Sequence, residues 1–486
     1  MYTALVSLSQ PLLPQFRAQL ASYGLRRARR ETAAHTLSGL EALAGPALPN
    51  VDLEATESGP NSRQRIYSMK RTFWCFLWQL LQPNTSGRGV VRQLQALLGL
   101  QDRGKISASD GAYFAARARL PLELLKSALA DSAQSADRRS GTYFYPGLDR
   151  ELVAVDGSTT SAADTADNQR RFPQSALQAK GCGFPLIKFV VLFSLASGAI
   201  RSVVIGNKHV HELRLFRRLW NCIKSGAILL ADRGFSDYVT LAEMTSRGID
   251  VVTRLHQRRD PDGRRGTRIG KGERLRVFTK PIKRPKSLAP RIWKKLAPEV
   301  TVRLITLKVT RKGFRPGIIT LMTSLLDVEK YPRKMIEDFY LRRWKLELCL
   351  RDIKTTMGME ELRAKSPAMI EKEIYGYLIA HNLIRWIVAD AAREHSVNLS
   401  RISFKGTVDA VRPFSAALAF AGTRRRRRSL YNTLLEALAE DLVPERPGRR
   451  EPRAVKRRPK PFAQLNKHRK HYREVEHRRK HRKNGK

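Results

Sequence analysis

Two short apolar runs in this 486-residue chain each stop at an aspartate: ELVAVDGSTT, whose apolar part ends at Asp156, and GAILLADRGF, whose apolar part ends at Asp232. Short apolar runs of this kind, bounded by turn residues, read as buried strands. Around them, LIKFVVLFSLA and AIRSVVIG flank a tight Ser197-Gly198 turn. VHELRLFRRLWNCI has helical spacing, YVTLAEMTSRG is a helix ended by glycine, and IDVVTRL is one more strand. The order is β-β-β-α-β-α-β. Strands joined by short turns pair antiparallel and strands separated by helices pair parallel, so the chain is expected to build a mixed α/β sheet with helices on its faces. Asp156 and Asp232 then project from one edge of adjacent strands, where open α/β sheets bind ligands.

A single aspartate after a strand is an N-cap or turn residue as readily as a catalytic one. A metal-binding edge needs a third oxygen ligand, and the segment DFYLRRWKLELCLRDIK, Asp338 to Lys354, offers Glu347 among basic residues. At about 100° per residue, Tyr340, Arg343, Glu347 and Lys354 fall on one helix face. Leu346, Leu350 and Ile353 point elsewhere and can pack on the sheet. The plainer reading is an i, i+4 ion pair, Arg343 with Glu347 or Glu347 with Arg351. Trp344 reads as helix packing. His209, His211 and Glu212 read as the opening of the helix after the third strand, not as a ligand set.

The chain carries 91 Lys and Arg against 44 Asp and Glu, a formal charge of +47, which points to a polyanionic partner and first of all to nucleic acid. From Arg446 to Lys486 there are 18 Lys and Arg against 3 Glu, preceded by the run Arg424 to Arg428. Such blocks are expected to be unpacked, phosphate-binding arms. Residues 1 to about 140 have helical periodicity in FWCFLWQLL and VVRQLQALLGL, with a capping-box pattern Ser107-x-x-Asp110 before GAYFAARARLP. With Arg88, Arg92, Arg117 and Arg119 nearby, these helices form either a DNA-reading module or a plain bundle. The four cysteines, Cys75, Cys182, Cys222 and Cys349, show no C-x-x-C spacing and suit a reducing cytoplasm. The longest apolar stretch, FPLIKFVVLFSLASGAI, contains Lys188 and the Ser-Gly turn, so a β-hairpin is expected there and not a membrane span.

The spacing Y-x2-R-x3-E-x6-K at Tyr340, Arg343, Glu347 and Lys354 resembles the signature of the cut-and-paste DDE transposases of the "insertion sequence four" family. VAVDGSTT resembles that family's first aspartate block, LLADRGF its second and YPRKMIEDFYLRRWKLELCLRDIK its glutamate block. Weaker similarities in GAYFAARARLP and YLIAHNLIRWI extend the match over roughly residues 105 to 390.

The resemblance implies an RNase H-like mixed sheet flanked by helices, with a β-rich insertion before the last catalytic helix. The segments DPDGRRGTRIGKGE, VTVRLITLKVT and GIITLMTSLL suit the insertion. The expected divisions are an N-terminal helical DNA-binding domain at 1–145, the first part of the core at 146–254, the insertion at 255–330, the second part of the core at 331–415, and a basic C-terminal region at 416–486 with a disordered tail. Two Mg²⁺ (or Mn²⁺) ions would be held by Asp156 as the bridging ligand, with Asp232 and Glu347 completing one ion each. Tyr340, Arg343 and Lys354 would hold phosphates at the transposon end, and Arg233 would either contact DNA or form a surface ion pair. The implied partners are double-stranded DNA, as terminal inverted repeats and target, and a second copy of the chain in a synaptic homodimer. The implied location is the bacterial cytoplasm, on the nucleoid. Trp293 does not align securely with a base-stacking aromatic, so a hairpin intermediate stays open. Two other readings are an inactive or domesticated transposase-derived DNA-binding protein, and a non-enzymatic packaging or ribosome-associated basic protein.

Overall fold

The computed structural model describes residues 39–53, 66–99, 106–141, 148–179, 181–256, 266–309, 317–421, 423–444 and 471. These fall into two compact units, divided at 144/145, 195/196, 201/202 and 374/375. The C-terminal tail expected to be an unpacked arm lies outside the described residues, apart from His471.

The helical unit begins with α1 (Gly39–Ala44), α2 (Met69–Leu81), α3 (Gly87–Gly99), α4 (Gly111–Arg119) and α5 (Leu122–Ser140). Apolar periodicity puts Phe73, Phe76, Leu77, Val91, Leu94 and Tyr113 in its interior. The expected capping box before α4 is replaced by serine turns. Asp110 is the N-cap residue but makes no side-chain cap bond, while Ser107 accepts from the amide of Ser109 and Ser109 from that of Gly111. Of the four arginines proposed near a DNA-reading module, Arg117 is buried. Its guanidinium lies 4.2 Å over the Phe76 ring and donates to Gln79. It holds the bundle together, whereas Arg88, Arg92 and Arg119 are exposed.

The other unit holds the sheet. Its elements are β1 (Leu152–Ala162), α6 (Ala166–Arg171), β2 (Leu186–Ser194), β3 (Ile200–Asn207), α7 (Glu212–Phe216), β4 (Ile228–Ala231), α8 (Tyr238–Ser246), β5 (Asp250–Arg254), β6 (Thr267–Gly270), β7 (Glu273–Thr279), α9 (Pro290–Lys295), β8 (Glu299–Val309), β9 (Gly317–Thr323), α10 (Arg333–Arg351) and β10 (Glu361–Leu362). The strand order is β3-β2-β1-β4-β5-β9-β8-β7-β6, with β10 alongside β1. β1 and β2 are antiparallel; β1, β4 and β5 are parallel. This is the mixed sheet anticipated from the element order, in the RNase H-like arrangement that the resemblance implies. The long apolar stretch forms β2 and β3 around Gly198, whose φ of 75° is the left-handed conformation a glycine adopts without strain. No helix among the described residues is long and apolar enough to cross a membrane.

The insertion strands do not form a sheet of their own. β9 pairs antiparallel with β5, so β6 to β9 extend the same sheet outward. Their hub is a buried pair, in which Arg303 donates to Glu273 over 2.8 Å and to the carbonyl of Tyr331 over 2.7 Å. Beyond the sheet run α11 (Pro367–Glu394), α12 (Phe404–Phe420) and α13 (Arg424–Glu440). The arginine run expected to be unpacked opens α13, because Thr423 caps the helix and Leu434, Leu435 and Leu438 anchor it by burial.

Candidate active site

The ladder between β1 and β4 sets the geometry. Its last pair is Val155 with Ala231, so the next residues, Asp156 and Asp232, stand at one level on neighbouring parallel strands, which run about 4.8 Å apart. Val155 and Ala231 belong to the core cluster under α7 and α8. Because side chains alternate across a strand, the two aspartates face the opposite side, where α10 packs against β1, β4 and β5. The β4–β5 ladder ends with Ala231 opposite Thr253, which places Arg254 at the same level as the aspartates.

Neither aspartate caps a turn or helix with its side chain. Asp156 interrupts β1, which runs on to Ala162, and its Oδ1 accepts the amide of Gly157 over 2.9 Å. Burial raises the Asp156 carboxyl to a pKa of about 6. The Gly157 amide and Arg343 oppose that rise, while Glu347 and Asp232 reinforce it. Asp232 precedes a 3₁₀ turn, Arg233–Phe235, without capping it through its side chain. Its backbone carbonyl accepts Thr253 Oγ1 over 3.1 Å.

Glu347 does have the ion-pair partner of the plainer reading: Arg343 Nη2 stands 2.9 Å from its Oε1. The two side chains are otherwise unlike, since that of Arg343 is 5% exposed and that of Glu347 40%. Burial alone would lower the Arg343 pKa, but Tyr340, Asp232 and Glu347 raise it. Its Nε is buried without a hydrogen-bond partner, and its guanidinium lies 5.5 Å from the Tyr340 ring. Tyr340 is itself buried, which pushes its phenol pKa up.

The single helical face expected through Lys354 is not continuous. α10 ends at Arg351 and gives way to a π-helical turn, Asp352–Thr356, which redirects Lys354. The turn is tied to the end of β1. Lys354 O accepts the amide of Glu360 over 3.1 Å, and β10 pairs Glu361 with Ser161. Lys354 is half-buried, and its ammonium has no ion-pair partner among the described residues. Arg233 is exposed and likewise unpaired among them, so the surface ion pair considered for it is not formed.

The two tryptophans differ in their settings. Trp344 is 46% exposed on α10 and is not buried by helix packing. Trp293 packs against the core cluster, with Lys280 Nζ 4.8 Å over its ring, so its indole is engaged within the fold. Arg254 was not singled out from the sequence. The signal was present in IDVVTRL, where a cation directly follows the apolar run of the strand beside β4.

The donor set suits a hard divalent cation, two carboxylates at one level and a third on the facing helix. Among the described residues no three acidic, histidine or cysteine side chains stand close enough to hold an ion as they are. The reason is visible at Glu347, which is turned toward Arg343. The raised pKa of Asp156 supports the fit, because a buried carboxylate crowded by two others is relieved by a cation.

Residues 147–383 match the family described as Transposase DDE domain. The chain is 27% identical over 405 residues to the transposase InsG for insertion sequence element IS4 of Escherichia coli strain K12, covering 82% of this chain and 87% of that protein. A 72-residue stretch is 33% identical to the transposase for insertion sequence element IS421 of Escherichia coli, covering 15% of this chain and 19% of that one. Among solved structures, the piggyBac transposase in its synaptic complex with hairpin DNA aligns over 84% of both chains, at 10% identity and a TM-score of 0.41. The matched segment spans Asp156, Asp232 and Glu347, the similarity to the IS4 transposase extends well beyond it, and the two together support the resemblance to the IS4-family DDE transposases.

Proposed function

We propose that the protein binds the terminal inverted repeats of its insertion sequence, excises the element and joins its 3′-OH ends to target DNA. The reading rests on one observation above the others, the equal level of Asp156 and Asp232 on adjacent parallel strands facing the helix that carries Glu347. Strand cleavage and strand transfer are both in-line displacements at phosphorus, by water and by a 3′-hydroxyl. Two Mg²⁺ (or Mn²⁺) ions, when bound, activate the attacking oxygen and neutralise the leaving one. Asp156 would bridge them, with Asp232 and Glu347 each completing one.

The chain's own residues do the rest. Glu347 must turn away from Arg343 to serve as a ligand, which frees a guanidinium whose Nε already lacks a partner. Arg343 and Lys354 then bond phosphate oxygens at the transposon end. Tyr340, whose ring lies 5.5 Å from the Arg343 guanidinium, adds its hydroxyl. Arg233 and Arg254 supply further positive charge at the same edge, against which the carboxylates alone would repel DNA. Residues 1–145 and the basic region 416–486 add sequence-independent backbone contacts, in keeping with the net charge of +47. Two copies would pair the two ends in a synaptic dimer.

Asp156→Asn, Asp232→Asn and Glu347→Gln each keep size and remove a metal ligand. Each is expected to lower Mg²⁺-dependent cleavage of terminal-repeat DNA by about a thousandfold or more while sparing DNA binding. Retained cleavage in any one of them overturns that residue's role. A wild-type protein that binds the repeats and never nicks them would instead be an inactive, transposase-derived DNA-binding protein.

A further inference from the structure

His209, His211 and Glu212 sit together in sequence after β3, and the structure gives them different tasks. His211 caps α7, its Nδ1 accepting the amide of Leu213 over 3.2 Å. Glu212 opens that helix, half-buried, and its carboxylate lies across the backbone of Gly157. A Cβ placed on Gly157 would stand 3.0 Å from Glu212 Cδ and 3.2 and 3.3 Å from its two oxygens. Gly157 directly follows Asp156, so this glycine is the cradle that admits a fourth carboxylate to the catalytic strand.

An acid suits the first turn of α7, but that position does not require the carboxylate to lie over Gly157. Among the described residues no ion pair and no hydrogen bond holds its carboxylate. Lys188, on the strand alongside, donates instead to the carbonyl of Val210 over 3.1 Å. Glu212 is half-buried against the backbone of the residue that follows Asp156, on a strand that already carries one of the two edge aspartates. Glu212 lies on the α7 face of β1, opposite the Asp156 side chain, and so is not interchangeable with Glu347. But β4 ends at Ala231 and β10 joins β1 only from Ser161, so between those levels no strand pairs with β1 on that side.

We propose that Glu212 is a positioning residue of the metal centre, a fourth carboxylate that reaches Asp156 from the α7 face across Gly157 and orients the water shell of the ion Asp156 holds. The proposal rests on the two-metal reading above. Mg²⁺ and Mn²⁺ sites of this type keep several waters, and acids that hold such waters are worth about 10–100-fold in metal affinity.

Manganese titration of the full chain without DNA, by calorimetry or by the electron paramagnetic resonance of free Mn²⁺, tests it directly. Glu212→Gln is expected to weaken Mn²⁺ binding about tenfold. Gly157→Ala, whose methyl displaces the carboxylate, should weaken it in the same direction, and the double variant should be no weaker than Glu212→Gln alone. With DNA present, the Mg²⁺ concentration for half-maximal cleavage should rise similarly while the rate at saturating Mg²⁺ changes little. An affinity for Mn²⁺ unchanged in Glu212→Gln overturns the proposal, as do additive effects of the two substitutions. If Gly157→Ala does not fold, Glu212→Asp, which shortens the reach, takes its place and should fall between wild type and Glu212→Gln. Asp156→Asn separates the two layers of argument. If it leaves Mn²⁺ binding intact, the metal reading itself has failed, whereas loss there with no change in Glu212→Gln refutes Glu212 alone.

Discussion

Charge is handled in opposite ways at the sheet edge and inside the helical unit. Asp390, with its side chain 4% exposed in α11, is fully occupied: it accepts Arg139, Arg393 over 2.7 Å and Tyr431 over 2.6 Å, while Arg139 also lies 4.6 Å from the Trp386 ring. Asp137 is similarly held by Ser197 and Arg201. At the edge of the sheet, by contrast, Asp156 has one backbone amide, Asp232 caps nothing with its side chain, and Lys354 and Arg233 have no ion pair among the described residues. Both regions contain buried or half-buried charge, but at the sheet edge only Arg343 and Glu347 neutralise each other, and neither aspartate has a cation as partner among the described residues. Buried acids with a full set of partners hold a fold together. Acids left short of partners at the end of parallel strands are waiting for something to bind.

Breaking the helical network should therefore damage stability, not chemistry. Asp390→Ala leaves the half-buried Arg139 and Tyr431 without their acceptor and is expected to cost about 2–3 kcal/mol of unfolding free energy. Below the lowered melting temperature the cleavage rate should stay near that of wild type. A variant of unchanged stability in denaturant titration would show that the network is not what holds this unit. The matching change at the sheet edge, Lys354→Ala, should do the reverse. It removes a charge-assisted phosphate contact and should weaken terminal-repeat binding or cleavage about tenfold, with melting temperature barely altered. Wild-type affinity and rate together in that variant would remove Lys354 from the site.

The difference between the regions also explains what was legible in the sequence. The aspartates could be found because a parallel strand is a short apolar run, and a charge at its end marks the edge without any knowledge of tertiary contacts. Glu347 could be placed on a helix facing that edge by periodicity. The π-helical turn that redirects Lys354 has no local signature in DIKTT; it follows from tying that segment to β1 through Glu360 and β10. The continuation of the sheet into the insertion is likewise a long-range pairing, β5 with β9, which alternation within GIITLMT cannot specify. Arg117 reads in the sequence only as one of four arginines near those helices; its burial over the Phe76 ring is a tertiary contact that periodicity does not show. The arginine run became helical because three leucines six or more residues further on supply the burial that the run itself lacks.

The smallest expected effect concerns a group with no counter-charge in the helical unit, His381. It is fully buried in α11, its ring 5.3 Å from that of Phe404. Burial, reinforced by the positive charge of Arg385, lowers its pKa to about 3. The unfolded chain takes up a proton near the ordinary histidine value of about 6.5, and the native state does not. Stability from this group is therefore intact above that value and is lost progressively as pH falls toward the folded pKa, by about 1 kcal/mol at a pH of roughly 5.7. His381→Gln cannot be protonated in either state, so it should lose less stability than wild type between neutral pH and that point, whatever its own cost at pH 7.5. Equal slopes of unfolding free energy against pH in the two proteins would mean that His381 is protonated in the native state after all. The helical unit would then contain a paired cation at a position where the present geometry holds a neutral ring.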